Sequence, residues 1–93
     1  MNFEWDPNKS SSNLLKHGVD FEVATRVFLD PLRIETFDGR EPYGESRWKT
    51  VGLVEPALLA VVYTLRGTAD TETFRLISAR KADKYERQQY RDI

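Results

Sequence analysis

One stretch constrains the fold of this chain more than any other. Ala57–Leu65, ALLAVVYTL, is almost continuous in apolar side chains. A run of this kind reads as the central strand of a sheet. Its neighbours in the chain supply partners. Arg47–Leu53 before it and Glu72–Ala79 after it have strand composition, with turns at Glu55-Pro56 and at Arg66–Asp70 (RGTAD). Turns this short join antiparallel strands. The expected sheet is therefore mainly antiparallel, with Ala57–Leu65 in its middle.

The chain before that hairpin is mostly helical. Asn2–Trp5 reads as a short first strand. Asp6-Pro7 then starts a helix, the carboxylate as N-cap and the proline at a position whose N–H has no partner to lose. The helix runs to Lys16 or His17, where Gly18 provides a left-handed stop. Leu14 and Leu15 are its only apolar side chains of any size, so it belongs on the surface. Asp20 caps a second helix, Phe21–Leu29, and Val19 and Ala24 form a hydrophobic staple. Phe21, Ala24 and Phe28 fall on one face at helical spacing, with Val23 and Val27 beside them. Asp30-Pro31 ends it. Leu32–Phe37 follows as a strand, and Asp38-Gly39 with Pro42 and Gly44 marks a polar loop. Asp83–Arg91 closes the chain as a helix, with Asp83 and Arg87 spaced for an i,i+4 pair. The order β-α-α-β-β-β-β-α defines an α+β fold: two N-terminal helices and a C-terminal helix on one face of an antiparallel sheet, the other face free to bind something.

With 93 residues, 40% of them hydrophobic and 31% charged, residues 1–93 are expected to form one domain around one core. No apolar run approaches the ~20 residues of a membrane span. The opening MNFEWDPNK lacks a signal-peptide pattern, and the absence of cysteine excludes disulfides and thiolate metal sites. A cytoplasmic protein without membrane contact is expected. Charge is unevenly spread: residues 1–45 hold five basic and nine acidic side chains, residues 71–93 six and four. A polyanion would approach the C-terminal half, although a pI of about 5.8 argues against tight, charge-driven binding to duplex DNA.

Metal chemistry finds no ligand pattern here, with one His, no Cys and no His-x-x-x-His or Asp-x-Asp spacing, so no cofactor is expected. The glycines form neither a P-loop nor a dinucleotide fingerprint. His17 sits in a last helical turn, where a donor meets unpaired carbonyls. What remains is a set of Arg, Lys, Tyr and Trp side chains. Such a set suffices to cleave RNA, whose 2′-hydroxyl attacks the adjacent phosphate once guanidinium and ammonium groups clamp it and offset its charge. Arg80 and Lys81 come first, where Glu72–Ala79 hands over to the last helix and free backbone N–H groups meet an anion. Arg75 lies mid-strand; alternation places it with Ile77 and Ala79, opposite Phe74, Leu76 and Ser78. It is either a functional cation or the partner of an acid such as Glu86. Lys49 shares a strand face with Arg47 and either reaches a phosphate or decorates an edge. Trp48 and Tyr63 read as core, the Tyr63 hydroxyl bonded. Of Tyr85 and Tyr90, one packs on the sheet and one is left to present its hydroxyl.

These residues resemble the BrnT family of type II toxin–antitoxin ribonucleases. The resemblance is carried by Phe3–Lys9 (FEWDPNK), Asn13-Leu14, Lys16–Val19, Phe21, Ala24, Phe28, Asp30-Pro31, Arg47–Leu53 (RWKTVGL), Ile77–Ala82 (ISARKA), Glu86-Arg87 and Tyr90. It implies a RelE-like fold and metal-independent endoribonuclease activity that halts translation. It also implies a BrnA-type antitoxin similar to ribbon-helix-helix proteins, through which alone operator DNA is bound. The expected catalytic residues become Lys49, Arg75, Arg80, Lys81 and Tyr90, with general base and acid unassigned. Two other readings are a non-catalytic antitoxin-binding co-repressor of the same fold and a single-stranded RNA-binding domain without chemistry.

Overall fold

Ala57–Arg66 (β4) occupies the middle of a five-stranded sheet of order β1-β5-β4-β3-β2, where β1 is Asn2–Glu4, β2 Ile34–Arg40, β3 Ser46–Val54 and β5 Thr73–Lys81. The structure is a computed structural model describing residues 1–40, 45–68 and 70–92. β2, β3, β4 and β5 are antiparallel in turn, and β1 adds to β5 in parallel, so the sheet is mixed at one edge. The architecture is α+β, in the element order expected. Among the described residues, no helix is long and apolar enough to cross a membrane.

Helix α1 spans Pro7–His17, with Asp6 as N-cap accepting from Asn8 N at 2.8 Å and Gly18 in the left-handed region at φ 75°. Leu14 and Leu15 are exposed; the residue that α1 buries is Asn13. The second helix is shorter than its periodicity implies. Phe21–Ala24 (α2) is α-helical, after which Thr25–Leu29 tightens into a 3₁₀ turn. β-branched residues recur through this segment, and Thr25 Oγ1 donates back to Glu22 O at 2.6 Å, both of which work against a continuing α-helix. The apolar face survives the change: Phe21, Ala24, Val27 and Phe28 pack on Leu59, Val61 and Tyr63 of β4 and on Leu76 and Ala79 of β5. Phe28 lies edge-on to Tyr63 and Phe74, at 5.2 and 4.9 Å between ring centroids. Gly52 on β3 permits this closeness, because a Cβ there would sit 2.7 Å from Val27 Cγ2.

Two register shifts move residues away from the expected pattern. In β2, Phe37 pairs with Trp48 and Gly39 with Arg47, so Asp38 bulges out and the strand continues through Asp38-Gly39, which composition marks as loop. Pro42 and Gly44 lie outside the described residues, as does Ala69 of the RGTAD turn. In β5, Val62 pairs with Ser78 but Tyr63 with Leu76, leaving Ile77 as an extra residue. A bulge of this kind resets alternation. The expected facing of β5 is therefore corrected: Phe74, Leu76 and Ala79 turn to the core, while Arg75 shares the other face with Ser78 and Arg80.

That other face is not fully open. Helix α3, Lys84–Arg91, lies on its end against β3, above a small cluster of Val51, Ala60 and Ala82 with Leu58 and Tyr90 at its margin. The helices thus lie on both faces, a correction to the one-face expectation. The face that α3 takes carries Lys49, Arg75 and Arg80, as pairing with β4 places them, and Arg47 joins them by alternation along β3.

Candidate active site

β5 runs to Lys81, two residues further than its composition suggests, so Arg80 and Lys81 are strand residues and their side chains diverge. Arg80 faces α3. Its Nη1 and Nη2 donate to Glu86 Oε1 and Oε2 at 2.6 and 2.9 Å, a two-pronged pair. Lys49 Nζ reaches the same Glu86 carboxylate from β3, 2.8 Å from Oε2. Glu86 is only 2% exposed and also accepts from Asp83 N at 2.8 Å. Three elements thus converge on one buried carboxylate.

The same local geometry overturns two expectations about α3. Asp83 and Glu86 form a reciprocal capping box, Asp83 accepting from Glu86 N at 2.9 Å. The N–H groups of Asp83 and Glu86 are thereby taken up by side chains of the turn itself, so two of the N–H groups expected to meet an anion are occupied. Asp83 does not hold Arg87 either, since Arg87 Nη1 donates to Ala82 O at 2.8 Å. The box also explains how Glu86 reaches the sheet: its side chain folds back over the helix N-cap, Asp83, toward the end of β5.

Electrostatics follow from that packing. Burial alone would raise the Glu86 carboxyl, but hydrogen bonds from Arg80, Lys49 and the Asp83 backbone outweigh it and hold the group down at about 2. The hydrogen bond to Glu86 outweighs burial at Arg80 too and raises its guanidinium above the ordinary range. Glu86 is therefore a permanent anion at neutral pH. It serves to fix two cations in place, and it is too weakly basic to take a proton from a sugar hydroxyl.

Arg75 stands on the same face but does not pair with Glu86. It reaches Glu4 Oε2 at 3.5 Å on the neighbouring β1, with Glu4 half-buried. Lys81 is exposed at the sheet's end, where it lines a groove of ≈ 390 Å³ with Leu53, Leu58, Arg87, Tyr90 and Arg91. Tyr90 packs against the small cluster and donates its hydroxyl to Asp30 Oδ2 at 2.5 Å. That bond, then burial, pushes its phenol up to about 12. Tyr85 is the tyrosine of this helix left exposed. Tyr63 is buried in the core and donates to Glu35 at 2.8 Å, on the face opposite the cations.

Of the five expected residues, the fold brings Lys49 and Arg80 together and sets Arg75 on their face. It sends Lys81 and Tyr90 to the groove beyond α3. Sequence reasoning treated Glu86 only as an acid for Arg75; the signal for its position was Asp-x-x-Glu before the last helix, a capping-box pattern. Among the described residues, no group of three or more His, Cys, Asp or Glu side chains is arranged to hold a metal ion.

The class that these features define is a small α+β domain with a mixed five-stranded sheet, whose second face gathers cations around a buried glutamate. The family model described as "Ribonuclease toxin, BrnT, of type II toxin-antitoxin system" matches residues 5–86, and the chain belongs to that family. No match is found among curated proteins.

Proposed function

We propose that this chain is a RelE-like endoribonuclease toxin that inhibits translation by cleaving RNA without a metal ion. The observation that carries the reading is the convergence of Lys49 and Arg80 on Glu86, with Arg75 on the same uncovered face. The cations are held before substrate arrives, so little reorganisation is needed when charge develops on the phosphate. In the proposed reaction the 2′-oxygen forms a bond to phosphorus and the P–O5′ bond breaks. The 2′-hydroxyl passes its proton to solvent water, the leaving oxygen gains one from Lys49, and solvent restores the ammonium. Arg75 and Arg80 hold the non-bridging oxygens. Lys49, with one of its ammonium protons committed to Glu86, is placed to donate toward the leaving oxygen. Lys81, at the strand end, meets a neighbouring phosphate. Tyr90, its proton held by Asp30, packs α3 and is assigned no proton transfer.

A BrnA-type antitoxin of ribbon-helix-helix character is the proposed protein partner, with operator DNA contacted through it. A second reading draws on a specific observation: Arg80 and Lys49 already share the Glu86 carboxylate, and Arg75 already pairs with Glu4. A face whose cations are spoken for suits a non-catalytic module that binds antitoxin and acts in repression. Induced expression in bacteria separates the two. The ribonuclease reading expects growth arrest with RNA degradation, relieved by Arg75→Ala, which leaves the half-buried Glu4 within reach of Arg66. Removing one such donor from a phosphate clamp should lower kcat about 100-fold. Growth without arrest, from a folded and soluble wild-type protein, would favour the module.

A further inference from the structure

Asn13 is the one residue that α1 buries, and every polar atom of its amide is used. Nδ2 donates to Ala79 O at 2.6 Å and to Val19 O at 2.7 Å, while Oδ1 accepts from Ala79 N at 3.2 Å. The two contacts to Ala79 are those a neighbouring strand residue would make. They fall where such a strand is missing, because β1 pairs with β5 only from Thr73 to Arg75. Beyond Arg75 no strand of the described residues lies beside the edge of β5, and the Asn13 amide takes the place of one.

The position of this grip matters because of what lies on either side. Ile77, the extra residue of the β5 bulge, is two residues before Ala79, and Arg80 is the next residue after it. Under unbroken alternation Arg80 would share a face with Phe74 and Leu76, inside the aromatic core, and Arg75 would face the other way. The bulge alone puts both arginines on one face. Ala79 N and Ala79 O belong to the two successive peptide planes that flank Ala79, the second of which contains the Arg80 nitrogen. A side chain that holds both planes fixes the strand after the bulge and hence the direction in which Arg80 leaves it.

We propose that Asn13 is a positioning residue for the candidate active site: by clamping Ala79 it holds the Ile77 bulge and aims the Arg80 guanidinium at Glu86, on the face shared with Lys49 and Arg75. The inference deepens the ribonuclease reading and rests on it for its catalytic consequence. Its geometric half is tested without any RNA.

The test compares wild type, Asn13→Ala and Val27→Ala, the last a core truncation away from the site that serves as a destabilised control. Carbon-detected NMR follows the Glu86 side-chain carboxyl through an acid titration. In Asn13→Ala the Arg80 fork loosens, so the Glu86 midpoint should move up from about 2 toward the ordinary carboxylate range, while Val27→Ala leaves it in place. With an RNA oligonucleotide, Asn13→Ala should lower kcat about tenfold with KM little changed, as expected when a supporting contact is lost. If Asn13→Ala does not fold, Asn13→Ser replaces it, keeping a polar group in the site with a hydroxyl too short to span both peptide planes of Ala79. An Asn13 variant that merely melts earlier, with the Glu86 titration unmoved, overturns the proposal. Wild type that cleaves no RNA, with the Glu86 midpoint still shifted by Asn13→Ala, retains the positioning role and removes the ribonuclease reading.

Discussion

Glu86 governs the charge of the candidate site, and its consequences can be measured as stability. In the folded chain its carboxyl titrates at about 2, against an ordinary value of 4.5. A carboxyl whose value is lowered by folding stabilises the fold above its unfolded value, and that stability is lost as pH falls through the folded one. The difference amounts to about 3 kcal/mol at neutral pH. Urea unfolding between pH 5 and pH 2 should therefore show the wild type losing about 3 kcal/mol more than Glu86→Gln, which has nothing to titrate at this position. Equal losses would mean that Glu86 is not held as the structure shows. At this scale the sequence was partly legible. Lys49 stands out as a cation on a strand and Arg80 as one at a strand end. Their common partner does not, because it depends on β3, β5 and α3 meeting, which no local pattern encodes. Arg75 has an acid partner, as one of its two readings had it, but the acid is Glu4 of the adjacent parallel strand.

Elements were more legible than their boundaries. The strands and helices come in the order that periodicity and turn residues give, although the second helix is α-helical only to Ala24, and ALLAVVYTL is central, because a long apolar run has few other places to go. What period-2 reasoning misses is an inserted residue. Ile77 looks like any strand residue, yet it reverses the facing of all that follows on β5. The side of the sheet taken by α3 was hidden for a similar reason, since its few apolar residues do not name the face they cover. Tyr90 supplies much of that docking, and its hydroxyl bond to Asp30 gives a signature. A phenol raised by folding stabilises the fold below its ordinary value of 10, and the effect is lost as pH rises through about 12. Tyr90→Phe should cost about 1 kcal/mol at pH 7. It should also flatten the alkaline loss of stability between pH 10 and 12 that wild type shows by chemical denaturation. An unchanged alkaline profile would show that α3 is held by other contacts.

For the molecule as a whole, the two faces of one sheet divide the labour. One face is filled by Phe3, Phe28, Tyr63 and Phe74 under the N-terminal helices and supplies the stability. The other presents arginine and lysine side chains around α3. A chain with a formal net charge of −1 has no strong overall field to draw RNA in, so the proposed activity rests on this local arrangement. The most direct test is to incubate the purified protein with an RNA oligonucleotide in the presence of a chelator and identify the ends produced. The account predicts 2′,3′-cyclic phosphate and 5′-hydroxyl termini, no cleavage where the attacking 2′-hydroxyl is replaced by hydrogen, and loss of cleavage in a normally folded Arg75→Ala variant. Intact RNA after incubation with folded wild-type protein, or products ending in 5′-phosphate, would contradict it.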